Sequence, residues 1–232
     1  MQHKDRQSFV SDMIGAIEKL SRPLSRDRFA AALREQLTTQ LDEFLLESPP
    51  IVEIEATILI ADLRGFTALM ESLPTTAMLG VLNRFYGLMA QVIARHGGLI
   101  DKFMGDSVMA LFGAPVQRDD DLRRALACAV EIQQAMETLN RVSEMNGEPS
   151  LYAGIAVSTG RVMAGSFGSP LYSEYTVIGD PVNLAARIEG YSLRGQVLIS
   201  EATYGGARDY IEVGAVNEVL VKGKAHPVML YE

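Results

Sequence analysis

Residues 56–61, Ala-Thr-Ile-Leu-Ile-Ala, form an unbroken run of small, apolar and β-branched side chains that stops at Asp62. A run apolar at every position is the pattern of a strand covered on both faces, not of one with a wet side. The rest of the chain must supply that cover. Thr75 to His96 places Met78, Leu79, Leu82, Phe85, Leu88, Met89, Val92 and Ile93 at helical spacing, and Gly97-Gly98 ends the helix. Leu99–Met104 and Ser107–Phe112 read as two strands joined at Gly105-Asp106, a hairpin with Asp106 at its turn.

A helix follows from about Asp119 to Val142, and the acidic run Asp119-Asp120-Asp121 suits its positive N-terminal end better than it suits a metal site. Leu151–Ser158 is a strand, Arg161–Phe167 and Tyr172–Ile178 a strand pair, Pro181–Tyr191 a helix and Gln196–Ser200 a strand. Short strands near Ile211–Val221 and Val228–Tyr231 close the chain. This order predicts an α+β fold with a βαββαβ centre.

Before residue 50 the pattern differs. Ser8–Leu20 and Arg26–Leu46 each carry apolar residues at helical spacing, separated by Pro23 and ended by Pro49-Pro50. They predict an N-terminal helical arm over 1–50 and a second domain over 51–232. The arm either packs as an appendage or serves in dimerisation or regulation.

With 232 residues, 48% of them apolar, the chain can bury an ordinary core, and its formal charge of −8 speaks against nucleic acid or anionic lipid as a partner. The mixed charges of the first thirty residues leave no signal-peptide core, and no uninterrupted apolar stretch spans a bilayer. The lone Cys128 lies in an apolar helical run and reads as a core residue, so a cytoplasmic location is expected. His3, His96 and His226 lack metal-ligand spacing and receive no role.

Asp62 directly after a buried strand and Asp106 at a hairpin tip are exposed to the same question. If the hairpin lies beside the first strand, both carboxylates reach one end of the sheet, where paired hard oxygens suit magnesium or manganese. A turn aspartate and a cap aspartate are the alternative. After Asp62, the segment Leu63-Arg64-Gly65-Phe66-Thr67 turns into a helix whose first N–H groups offer a seat for phosphate; a helix cap is the alternative for Thr67.

Three segments carry a family resemblance: 61–67 (Ala-Asp-Leu-Arg-Gly-Phe-Thr), 101–110 (Asp-Lys-Phe-Met-Gly-Asp-Ser-Val-Met-Ala) and 178–187 (Ile-Gly-Asp-Pro-Val-Asn-Leu-Ala-Ala-Arg). In order and spacing they resemble the motifs of class III adenylate and guanylate cyclases, over about residues 52–232. The resemblance implies a ferredoxin-like βαββαβ core and a homodimer that shares its active sites. It also implies that ATP is converted to cyclic AMP with two Mg2+ or Mn2+ ions per site.

Residue by residue, it makes Asp62 and Asp106 the metal ligands. Gly65, Phe66 and Thr67 fall in the phosphate loop, Asn183 is given to the ribose, and Arg187 to the charge developing on the α-phosphate. Lys102 falls where adenylate cyclases place a lysine against adenine and guanylate cyclases tend to carry glutamate. Lysine only donates, which suits the N1 acceptor of adenine. Thr176 stands at the second base-selecting position, where the best-known adenylate cyclases have aspartate. It resembles a bacterial subgroup that includes the soluble bicarbonate-stimulated enzymes. Lys222, or else Lys224, matches the lysine given to the triphosphate. The general base stays unassigned. Guanylate cyclase, diguanylate cyclase and a silent cyclase-like dimerisation module are the rival readings.

Overall fold

A computed structural model of the chain describes residues 50–169, 172–221 and 226–232; the predicted helices of the N-terminal arm, and Lys222 and Lys224, lie outside the described residues. The first strand, β1 (Val52–Leu63), contains the apolar run, and Ala56 through Ala61 are all buried. On one side it pairs antiparallel with β3 (Ser107–Phe112), on the other with β4 (Ala153–Ser169). Strand β2 (Leu99–Met104) lies outside β3, giving the order β2-β3-β1-β4. Helices α2 (Thr75–Arg95) and α3 (Asp121–Met145) supply the two crossovers, so β1-α2-β2-β3-α3-β4 is the expected βαββαβ centre. A short α1 (Phe66–Ser72) precedes α2.

Side chains alternate along β1, and so does their cover. Leu59, Ala61 and Leu63 face a core closed by Met78, Val81, Phe85, Met89, Val92 and Ile93 of α2 and Ala125, Cys128, Ala129 and Ile132 of α3. By length and composition Thr76–Arg95 would also suit a membrane span, which the sequence reading did not count. Its buried stripe recurs every three or four residues against the sheet, the habit of an amphipathic core helix. Cys128 is a core side chain, and burial pushes its thiol up to about 12.

The opposite face is thinner. Ala56, Ile58 and Ile60 pack with Met109, Leu111, Val162, Ala164 and Val177, under α4 (Asp180–Glu189), whose Ala185 reaches them. Here the expectation of two separate strands at 151–158 and 161–167 is corrected. Thr159-Gly160 reads as a break, but β1 pairs with β4 without interruption from Leu63↔Ala153 to Val52↔Ala164, and this ladder carries the chain across the expected gap within one strand of 17 residues. Its far half pairs with β5 (Tyr172–Ile178).

Beyond β4 the sheet continues through β6 (Val197–Ser200), the parallel neighbour of β4, to β8 (Val228–Tyr231) and β7 (Val216–Val219). The predicted strand at 211–221 shrinks to four residues. A helix unmarked in the sequence reading, α5 (Glu201–Ala207), starts where Ser200 Oγ accepts from the Thr203 amide at 3.3 Å. Gly205-Gly206 hides it from propensity, since glycine weakens helix interiors.

Candidate active site

Two clusters of polar side chains lie at the sheet, one at the end of β1 and one between β2 and β5. At the first, β1 and β3 are in register as Asp62↔Ser107, and the Leu63 amide donates to the Asp106 carbonyl at 3.0 Å. The β2–β3 turn is therefore stitched to the end of β1, and both carboxylates sit at that end. Tyr86 of α2 braces the turn: its hydroxyl donates to the Gly105 carbonyl, and its ring packs on Phe103 with centroids 4.4 Å apart. Burial first, and then the negative charge of Asp106, push the Asp62 carboxyl from 3.8 up to about 6; Arg64 pulls the other way.

Arg64 was not singled out in the sequence. Its guanidinium lies 3.3 Å from Asp62 Oδ1, pairs with the Glu189 carboxylate, and donates to the Glu189 carbonyl at 2.7 Å and to Ser192 Oγ at 3.0 Å. It straps the end of β1 to the C-terminal end of α4. The path runs over Gly154, opposite Asp62 in β4, where a Cβ would stand 2.2 Å from Arg64 Nε. Only glycine leaves room for that side chain.

Gly65 takes a left-handed φ of 80° as the cap of α1, and its carbonyl accepts from the Leu69 amide at 3.1 Å. No side chain caps α1, so the capping alternative for Thr67 is excluded; Thr67 is an exposed residue of the first turn, beside the half-buried Phe66.

The second cluster joins β2, at one edge of the sheet, with β5, which branches off beside β4. β3, β1 and β4 lie between β2 and β5, a flat separation of roughly 19 Å at the usual strand spacing. Yet Thr176 Oγ1 donates to Asp101 Oδ2 at 3.1 Å and Lys102 pairs with Glu174. The β4–β5 arm therefore curls over the thin face of the sheet until its edge meets β2. Lys102 Nζ also stands 3.5 Å from Asp101 Oδ2, and Tyr172 donates to Glu174 Oε2 at 2.6 Å. Pairing with Glu174 first, opposed by partial burial, holds the Lys102 ammonium above its usual range, and the same hydrogen bond holds Glu174 below its own.

A β-bulge makes the cluster possible. Ile100 pairs with Ala110 and Lys102 with Met109, leaving Asp101 as the extra residue of β2. Its side chain is wholly buried. Asp101 and Glu174 were given no role from the sequence. Glu174 had a signal, since it shares a strand face with Thr176 two residues on; the bulge had none.

Asn183 and Arg187 occupy successive turns of α4, Asn183 exposed and Arg187 half-buried. Neither side chain has a hydrogen bond or ion pair with the described residues, and neither is linked to Asp62 or Asp106. The acidic run at 119–121 serves the start of α3: Asp120 and Asp121 pair with Arg124, and Asp121 Oδ2 accepts from the Arg118 amide at 2.6 Å. His96 pairs with Glu131 across 2.6 Å, away from both clusters.

The family model for the adenylate and guanylate cyclase catalytic domain matches residues 52–231, a span that contains both clusters. The chain belongs to this family. Among curated relatives, an adenylate cyclase of Anabaena cylindrica is 34% identical over 185 residues, 76% of this chain and 36% of that protein. Adenylate cyclase 1 of Rhizobium meliloti (strain 1021) is 29% identical over 180 residues, 77% of this chain and 27% of its own length. The cyclase homology thus spans only about a quarter to a third of these relatives.

Among solved structures, the guanylyl cyclase Cya2 superposes with a TM-score of 0.75 at 42% identity, over 78% of this chain and 92% of that one. The adenylyl cyclase CyaB from P. aeruginosa gives 0.75 at 34% identity, over 78% and 94%. The nucleotidyl cyclase fold is common to both, and the two differ in the base they take.

The donor set fits a hard divalent cation. Two carboxylates converge at one sheet end, one of them pushed toward neutrality by burial and then by the other's charge, so a cation there offsets both. Among the described residues no group of three acidic, cysteine or histidine side chains converges that could hold a metal, which leaves further coordination to phosphate, backbone or water.

Proposed function

We propose that the chain is an adenylate cyclase that converts ATP to 3',5'-cyclic AMP and pyrophosphate in a homodimer, with two Mg2+ or Mn2+ ions at each site. The observation that carries the choice of base is the Lys102 ammonium at the β2–β5 junction. It is anchored by two carboxylates and retains a third N–H for a purine N1 acceptor. Guanine presents a donor there and would meet a donor.

Asp62 and Asp106 would hold the ions, which when bound activate the attacking 3'-oxygen and neutralise the leaving pyrophosphate. The first-turn amides of α1, with Gly65, Phe66 and Thr67, seat phosphate oxygens at the same sheet end. Lys102 donates to the base and Thr176 accepts from its 6-amino group. Asn183 orients the ribose and Arg187 stabilises charge developing at the α-phosphate, an effect worth about 3 kcal/mol or more. Lys222 is given to the triphosphate. The lack of side-chain partners for Asn183 and Arg187 among the described residues supports the shared-site arrangement, in which they complete the site of a second copy. Catalysis is then mainly positioning and charge neutralisation.

The guanylate cyclase reading has its own observation, the 42% identity to Cya2. One assay separates the two. With saturating manganese, ATP is expected to yield cyclic AMP at a higher kcat/KM than GTP yields cyclic GMP. A preference for GTP overturns the adenylate reading, and no product from either nucleotide overturns both.

A further inference from the structure

We infer that Asp101 is a specificity-determining positioning residue: it fixes the hydrogen-bonding direction of Thr176 and the aim of Lys102, so that the pair offers one acceptor and one donor to the purine. The inference rests on the assignment of Lys102 and Thr176 to the base.

A threonine hydroxyl is ambidextrous, able to donate or to accept. Alone, it cannot tell the 6-amino donor of adenine from the 6-oxo acceptor of guanine. An ionised carboxylate only accepts. Because Thr176 Oγ1 gives its proton to Asp101 Oδ2 at 3.1 Å, what remains on Oγ1 is lone pairs. The hydroxyl becomes an obligate acceptor, matched to adenine and mismatched to guanine.

The same oxygen stands 3.5 Å from Lys102 Nζ. Of the three ammonium N–H groups, one goes to Glu174 and one turns toward Asp101, which fixes the direction of the third. A single carboxylate thereby sets the polarity of one base-facing group and the direction of the other.

The local backbone is built for this contact. Strand alternation would send residues 101 and 102 to opposite faces, and the bulge between Ile100 and Lys102 removes that restriction. The Asp101 side chain has no exposed surface, and its Oδ1 is buried without a hydrogen-bond partner among the described residues. Burying a carboxylate is costly unless its charge is used, and Thr176 and Lys102 are what it meets.

The test compares ATP, GTP and purine riboside 5'-triphosphate, which lacks the 6-amino group, as substrates of the wild-type chain, Asp101→Asn, Thr176→Val and the double variant. In Asp101→Asn the new amide can donate to Thr176 Oγ1 and release the hydroxyl proton toward the base. The preference for ATP over the 6-unsubstituted analogue should then fall about tenfold, and the GTP to ATP ratio should rise. Thr176→Val should lose the same preference, and adding Asp101→Asn to it should change that preference no further.

A folded Asp101→Asn enzyme with wild-type ratios, or one that loses ATP and the analogue equally, overturns the inference while leaving the adenylate reading intact. So does retained discrimination in Thr176→Val, a readout available even if Asp101→Asn fails to fold. A wild-type chain that prefers GTP overturns both.

Discussion

The two polar clusters differ in how far their charges are balanced. Between β2 and β5, pairing drives Lys102 and Glu174 further toward their charged forms; burial pushes the Asp101 carboxyl the other way and leaves its Oδ1 unpartnered among the described residues, but Thr176 and Lys102 meet its other oxygen, so the charges are balanced mainly from within. At the end of β1, Asp62 is driven toward its neutral form, first by burial and then by the negative charge of Asp106, and the one arginine that opposes this is divided between Asp62 and Glu189. A satisfied cluster is a template that keeps its shape and reads whatever docks against it. An unsatisfied one is a socket whose field is completed by what arrives. Under the proposed function, rigid reading of the base and capture of cations call for these opposite designs.

The largest effect expected from this contrast is at the socket. Asp62→Ala or Asp106→Ala removes a proposed ion ligand and little core volume, so turnover should fall to below about a thousandth while the folded structure persists. Steady-state rates under saturating manganese, with circular dichroism as the folding control, check this. Near-normal turnover in either variant would remove the two-carboxylate assignment.

Arg187→Ala tests whether the socket is completed across a dimer. The Asp62→Ala and Arg187→Ala homodimers should both be inactive. Co-refolded as an equal mixture, half the dimers are mixed and each holds one intact site, so about a quarter of wild-type activity should return. Mixed dimers confirmed by mass analysis but silent in the assay would mean that each site is built within one chain.

At the template the effect is smaller and appears as a ratio. Lys102→Glu combined with Thr176→Cys should move GTP to ATP turnover by about tenfold or more, since a lost matched hydrogen bond costs roughly 1–3 kcal/mol. Competition assays with both nucleotides measure it, and an unmoved ratio in a folded variant would assign base reading elsewhere.

The smallest effect concerns stability and has a definite sign. With its folded pKa raised from 3.8 to about 6, Asp62 binds its proton more tightly in the folded state, so metal-free stability falls as pH rises through that window and stays lowered above it. Asp62→Asn removes the penalty. At pH 7.5 without metal, the variant should be more stable by about 1–2 kcal/mol, roughly 3–6 °C in melting temperature, with the difference closing near pH 4. Equal melting temperatures at both pH values would show that the fold does not disfavour the Asp62 charge.

Much of this was legible in residue order. The apolar run at 56–61 announced a strand covered twice, and Gly105-Asp106 between two apolar runs announced the hairpin that lays Asp106 beside Asp62. Features that depend on long-range closeness were not legible. Thr159-Gly160 looked like an end because strand continuity there is imposed by β1, about a hundred residues earlier in the chain. Arg64 looked like an incidental charge in a loop, since its partners Glu189 and Ser192 and the gap at Gly154 come together only on folding. The bulge at Asp101 follows from how β2 meets β3, and no residue in Ile100-Asp101-Lys102 signals it. Lys222 lies outside the described residues, so its role is still an expectation.

The curl of β5 onto β2 carries one more consequence. Asp101, Lys102, Glu174 and Thr176 form the clasp by which the β4–β5 arm fastens to β2 at the edge of the sheet, so under the proposed function nucleotide choice and mechanical closure share the same four side chains. An enzyme retuned at this clasp should show faster amide hydrogen exchange along Tyr172–Ile178 while β1 stays protected. Changes of substrate are then best sought as compensated sets that refasten the arm, because a lone exchange of reading residues also unbuttons it.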